Sequence, residues 1–137
     1  MSIGLTEIYR SFSDPTRLRI LNLLLQQPLC VCHIQEVLGL PQVNTSQHLA
    51  YLRKAGLVEF ECVQTWKVYR INHSGGRNFH LNLKSFAECA RTDPTFNADL
   101  SRLQKALKGS RSPICDEQTK PPELRRPRRT RLLSKSQ

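Results

Sequence analysis

Residues 42–71, QVNTSQHLAYLRKAGLVEFECVQTWKVYRI, change their apolar period partway along. In the first half Thr45, Leu49 and Leu52 recur at the spacing of one helix face, and Gly56 follows, a residue suited to the left-handed position just past a helix end. In the second half VEFECV and WKVYRI alternate apolar and polar residues, the period of two that a half-buried strand requires. The reading is a helix over about Gln42–Ala55, then strands Leu57–Val63 and Trp66–Ile71 closed into a hairpin by Gln64 and Thr65. The helix has a second face, made of Gln42, Asn44, Ser46, Gln47 and His48, that is polar yet nearly uncharged. Such side chains both donate and accept hydrogen bonds, as reading base edges requires, whereas Arg53, Lys67 and Arg70 suit backbone phosphates.

Upstream, Leu5, Ile8, Tyr9 and Phe12 recur at helical spacing, and Ser13-Asp14-Pro15 offers a capping side chain followed by proline at a first helical position. The helix so started, Pro15–Gln26, carries Leu18, Ile20, Leu21, Leu24 and Leu25 on more than one face and is therefore expected at the centre of the core. Pro28 ends it; Ile34, Val37 and Leu38 then mark a short third helix closed by Gly39. Downstream, residues Leu81–Ala90 and Asp99–Lys108 read as two more helices separated by a turn at 92–95. Two helices joined by a short turn, the second with a small polar outer face and followed by a hairpin with a basic flank, make a winged helix-turn-helix. The expected class is mainly α with a small β-hairpin (α+β).

Charge supports a polyanionic partner. The 137-residue chain carries 21 Lys and Arg against 11 Asp and Glu, a formal +10, and nucleic acid, double-stranded DNA for a helix-turn-helix, is the expected partner. Residues 109–137 hold eight Lys and Arg and three Asp and Glu, a net +5, and are rich in proline and serine with few periodic apolar residues. Such a segment cannot bury enough surface to offset the entropy of ordering, so the chain divides into a winged helix-turn-helix DNA-binding domain over 1–108 and a disordered basic tail over 109–137. No apolar run is long enough for a membrane span and the N-terminus lacks the order of a signal peptide, which gives a cytoplasmic expectation. An enzyme is not expected: the chain has no glycine-rich phosphate loop and no paired-carboxylate spacing. The five cysteines, at 30, 32, 62, 89 and 115, are odd in number and irregularly spaced, which argues against a disulfide framework.

Two of those thiols stand one residue apart in Pro28–Val37, PLCVCHIQEV. They are either buried apolar fillers or ligands for a thiol-seeking ion. The runs FSDPTRLRIL (12–21), SQHLAYLRKAGLV (46–58) and VYRI (68–71) resemble the ArsR/SmtB family of bacterial metal-responsive repressors. That resemblance implies a homodimer with one recognition helix per operator half-site, joined mainly through residues 4–12 and 81–108, and releasing DNA when an inducer binds. Pro41 stands where the family has a serine or threonine at the start of the recognition helix, a lost side-chain cap worth ~1 kcal/mol.

Within the family a Cys-Val-Cys at the start of the third helix resembles the inducer site of the arsenic- and antimony-responsive type, which implies As(III) or Sb(III) held by Cys30 and Cys32. Thiolate sulfur suits these soft ions, and Cd(II) or Pb(II) as well. In a regular helix residues i and i+2 lie on nearly opposite sides, so the expectation is that ligation requires an unwound first turn, and that this unwinding moves the recognition helix. Trivalent arsenic prefers three sulfurs, and Gln35 stands where a third family cysteine is often found. Cys115 in the tail is the favoured third ligand, with Cys62 and Cys89 expected to be packed in the strand and in the dimer-helix core. His33 is a nitrogen donor suited to Zn(II), read as a surface residue. A thiol-redox switch on the same scaffold is the main alternative.

Overall fold

A computed structural model describes residues 2–63 and 66–108. The elements, in chain order, are α1 (Leu5–Phe12), α2 (Pro15–Gln26), β1 (Leu29–Cys30), α3 (Val31–Leu38), α4 (Gln42–Ala55), β2 (Val58–Val63), β3 (Trp66–Ile71), α5 (Arg77–Ala90) and α6 (Pro94–Lys108). The mainly helical winged helix-turn-helix is thus observed, with α3 and α4 as the helix-turn-helix and β2–β3 as the wing. The expected Gln64-Thr65 connection and the tail over 109–137 lie outside the described residues.

Local chemistry explains where the elements begin. Asp14 Oδ1 accepts from Arg17 N–H at 3.0 Å with Pro15 at the first helical position, so α2 starts where its capping signal stands. The same chemistry recurs at Thr92-Asp93-Pro94: Asp93 Oδ1 accepts from Thr95 N–H at 2.8 Å, and α6 begins at Pro94 instead of Asp99. The expected turn at 92–95 is the cap of that helix. Likewise α5 begins at Arg77, before the expected Leu81, directly after Gly76 at φ +98°. Leu57, expected as the first strand residue, instead follows the left-handed Gly56 and donates its N–H to Leu52 O at 2.9 Å, so β2 starts at Val58.

The sheet differs from the expected hairpin by one strand. β1 pairs antiparallel with β3, Leu29 opposite Tyr69 and Cys30 opposite Val68, while β2 pairs with the other edge of β3, giving the order β1-β3-β2. Two residues are too few to show a period, but they tie the first thiol to the root of the wing.

The core forms where α2 crosses the other elements. Ile20, Leu21, Leu23 and Leu24 are buried along one stretch of α2, while Leu18 and Leu25 are half-buried. Ile8, Leu29, Ile34, Leu49, Leu52, Leu57, Ile71 and Phe79 close around them. Each such side chain contributes ~1.5–3 kcal/mol on full burial. A polar clamp holds α6 against this core: Asp99, wholly buried, accepts from Arg19 Nε at 2.8 Å and Nη2 at 2.9 Å on α2. Arg102 Nη2 also donates to Asp99, and Arg102 Nε donates to Val37 O at 3.1 Å near the end of α3.

Candidate functional site

The helix α4 presents Gln42, Asn44, Ser46 and Gln47 as exposed side chains, while Thr45, Leu49 and Leu52 anchor it to the core. Pro41 is its N-cap and makes no side-chain capping bond, as its missing hydroxyl requires. His48 is half-buried and lies with Nδ1 4.0 Å from Asp14 Oδ1, so it turns toward the start of α2 and away from the exposed amides. Between those amides stands Val43, 64 % exposed, which the polar pattern had hidden.

On the wing, Phe60 has two cations against its ring: the Arg53 guanidinium 4.7 Å from the centroid and Lys67 Nζ at 4.9 Å. The ring also packs on Tyr69, centroids 5.3 Å apart. Burial pushes the Tyr69 phenol above its usual value of 10.0, the Arg53 cation draws it part of the way back, and Cys62 adds to the rise. Arg70 has partners already: Nε donates to Glu59 Oε1 at 3.2 Å and Nη1 to Glu61 Oε1 at 3.3 Å. It reaches a phosphate only by leaving two carboxylates.

The thiol pair sits at a strand-to-helix junction. Cys30 ends β1 and caps α3 in extended conformation, φ −78° and ψ 159°, and Cys32 lies in the first turn of α3. The Cα atoms are 5.4 Å apart, a separation a helix would also give, but the extended Cys30 turns its side chain toward Cys32 and the sulfurs are joined in a disulfide, contrary to the expectation from the cysteine count and spacing. The expectation that a regular helix holds the two thiols apart is therefore corrected, because Cys30 is not in the helix. Once the bond is reduced, ligation needs no unwound turn to bring these sulfurs together.

His33 is also corrected: it is buried, one turn before Val37 on the apolar side of α3, with Nδ1 3.4 Å from Cys30 Sγ. The donor atoms of Cys30, Cys32 and His33 all lie within 4.8 Å of one another. A tetrahedral ion with bonds of ~2.0–2.3 Å holds its donors ~3.3–3.8 Å apart, so these three atoms meet one ion only after the Cys30–Cys32 bond is reduced and its sulfurs separate.

The other cysteines are placed apart. Cys62 is exposed on β2, not packed in the strand as expected, and Cys89 is exposed on α5 of the single chain. Across the sheet Cys30, Val68 and Glu61 stand in register, while Cys62 stands opposite Lys67. Side chains alternate along a strand, so Cys62 points to the other face from Cys30, two strand spacings or ~10 Å away. Cys115 lies outside the described residues.

Cys32 is half-buried, and it lines a cleft of about 730 Å³ between α3, α4 and the wing, together with Gln35, Ser46, Arg53, Phe60 and Lys67. Gln42, Ser46, Arg53 and Lys67, four of the side chains expected to meet DNA, thus share one cavity with the more accessible cysteine.

Residues 14–59, from the cap of α2 to the start of β2, match the family described as "Bacterial regulatory protein, arsR family". An uncharacterised HTH-type transcriptional regulator of Methanocaldococcus jannaschii is 47 % identical over 66 residues, which cover 47 % of this chain and 74 % of that protein. The chain belongs to the ArsR family. ArsR-family members are DNA-binding transcriptional repressors and not enzymes, and an arsenic resistance transcriptional regulator of Pseudomonas putida is 35 % identical over 66 residues, 47 % of this chain and 52 % of its own length. Among solved structures, a homodimeric winged helix-turn-helix DNA-binding domain from Mycobacterium bovis is similar with a TM-score of 0.54 and 26 % identity, covering 64 % of this chain and 78 % of that one. No helix of the described residues is long and apolar enough to cross a membrane.

Proposed function

We propose that this ArsR-family repressor binds its operator as a homodimer with Cys30 and Cys32 in the reduced dithiol state, and lets go when those two thiolates take a trivalent arsenic or antimony ion. The observation that carries the reading is the junction of β1 and α3, which holds two sulfurs together beside the recognition helix. Thiolate sulfur is the donor these soft ions prefer, and the start of α3 favours the thiolate that binding requires. The arsenic-resistance relative supports the same choice of inducer. Cys115 is the third sulfur of this proposal; His33 would complete a site for Zn(II), Cd(II) or Pb(II) instead.

Gln42, Asn44, Ser46 and Gln47 read base edges from α4, and Arg53 and Lys67 contact phosphates. His48 and Arg70 join them only after leaving Asp14 and the wing carboxylates. Exposed Leu5 and Tyr9, one turn apart on α1, and Leu81 on α5 supply apolar surface for the dimer. Cys30 is pinned to β3 and Cys32 rides on α3, so an ion that resets their separation moves α3, and with it α4, against the wing. A differential of about 1.4 kcal/mol between free and liganded forms already changes operator affinity tenfold.

The test is the Cys30→Ser/Cys32→Ser variant in an operator-binding titration with and without arsenite. It is expected to bind DNA as the parent does and to ignore arsenite; release by arsenite from this variant refutes the site. A thiol-redox switch is the second reading, favoured by the Cys30–Cys32 disulfide itself.

A further inference from the structure

We propose that the cleft beside Cys32 is the entry site for a small disulfide bearing carboxylates, and that this reagent oxidises the Cys30–Cys32 pair while competing with DNA. The proposal rests on the redox reading of the pair and adds the reagent, its site and the order of events.

Accessibility sets the order. Cys30 is wholly buried, whereas Cys32 is half-buried and forms part of the cleft wall. A reagent from solvent meets Cys32 first. Charge sets the class of reagent: the cleft has Arg53 and Lys67 against Phe60 on one side and the neutral Gln35, Gln42 and Ser46 on the other, with no carboxylate among its lining residues. Two cations facing a neutral wall favour an anion, and a charged cleft raises the encounter rate of an oppositely charged reagent by about 10-fold or more.

The Cys32 thiolate attacks one sulfur of the reagent RSSR, forming Cys32–S–SR and releasing RS⁻, which takes the proton Cys32 has lost. Cys30 then attacks the Cys32 sulfur. Its proton passes to His33 Nδ1, 3.4 Å from Cys30 Sγ, and on to the departing second RS⁻. The balance is one protein dithiol plus RSSR giving one protein disulfide plus two RSH, two electrons passing from the pair to the reagent. Because Gln42, Ser46, Arg53 and Lys67 line the cleft and also belong to the proposed DNA-contacting set, the reagent and the operator exclude one another.

The experiment follows modification of the reduced full-length protein by peptide mass spectrometry, comparing dithiodipropionate, a dianion, with the neutral hydroxyethyl disulfide of similar size. Each rate is normalised to that of N-acetylcysteine amide, a neutral free thiol, in the same mixture. Expected are a preference of about 10-fold for the dianion at Cys32, its loss in 1 M salt, a lower preference in Lys67→Gln, and protection of Cys32 by bound operator duplex. In Cys30→Ser the mixed disulfide at Cys32 should accumulate, and in Cys32→Ser the buried Cys30 should stay unmodified. Equal rates for the two reagents, or modification of Cys30 in the folded Cys32→Ser protein, overturn the cleft as the entry site. Failure of both reagents and of hydrogen peroxide to close the Cys30–Cys32 bond overturns the redox reading as well.

Discussion

Asparagine at position 99 removes an anion from the point where two guanidinium groups converge. The Asp99 side chain is 0 % exposed, against 21 % for Arg19 and 49 % for Arg102. Arg102 is open enough to rehydrate, so its share resembles a surface pair at ~0–1 kcal/mol. Arg19 is mostly enclosed and loses a bidentate partner, the case in which breaking a buried pair costs ~3–5 kcal/mol. Its partial exposure and the oxygen that asparagine retains lower that figure, and the expected loss is about 2–3 kcal/mol. Urea unfolding at fixed protein concentration and neutral pH measures it, with an unchanged denaturant slope showing that only stability moved. A second pair of variants guards the interpretation: Arg19→Met/Asp99→Leu together should recover most of the loss, because an apolar pair of similar volume replaces a buried ion pair at little cost. A loss below about 1 kcal/mol in Asp99→Asn, or no recovery in the double variant, refutes the clamp as a source of stability. Its hydrogen bond to Asp99 raises the Arg19 guanidinium above its usual value. A raised cation contributes stability that is fully present below its unfolded value and fades only as pH rises past its folded one, so this contribution is constant through neutral pH and well into the alkaline range.

Alkaline sensitivity should therefore begin at Tyr69. Its phenol is raised above 10.0 chiefly by burial, so the unfolded chain gives up this proton first and stability falls as pH climbs past about 10. Ring-carbon NMR should find Tyr69 titrating higher still in Arg53→Gln, which removes the lowering cation, and lower in Cys62→Ser; the reverse order contradicts the stated causes. At Gly75 an added Cβ would lie 2.5 Å from Phe79 Cδ2 and 2.9 Å from Ile3 Cδ1. Gly75→Ala should cost ~1–3 kcal/mol through overpacking, and Phe79→Leu in the same chain should return part of it in thermal unfolding; no loss in the single variant refutes the contact.

What the sequence made legible was whatever repeats. The faces of α2 and α4, the alternation of β2 and β3 and the capping run at Ser13-Asp14-Pro15 each extend over enough residues for a period or a spacing to show. In the sequence Asp99 reads only as a helix start and His33 as a surface residue, although each stands a turn before an apolar position, Leu103 and Val37, where a polar residue on an apolar face signals a buried partner. Their partners were not legible: Arg19 lies 80 residues from Asp99 in the chain, and no local pattern links them. The thiol pair failed for a different reason. The argument from a helix measured Cys30 and Cys32 with the wrong geometry, since Pro28 ends α2 and the chain stays extended through Cys30 before α3 begins. At such a junction the i and i+2 side chains share neither the helix's near-opposition nor a single strand face, and the pairing of Cys30 with Val68 decides where its sulfur goes. A two-residue strand formed by a contact with residues nearly forty positions later is invisible to periodicity. In this structure it is what turns an awkward spacing into a preformed pair.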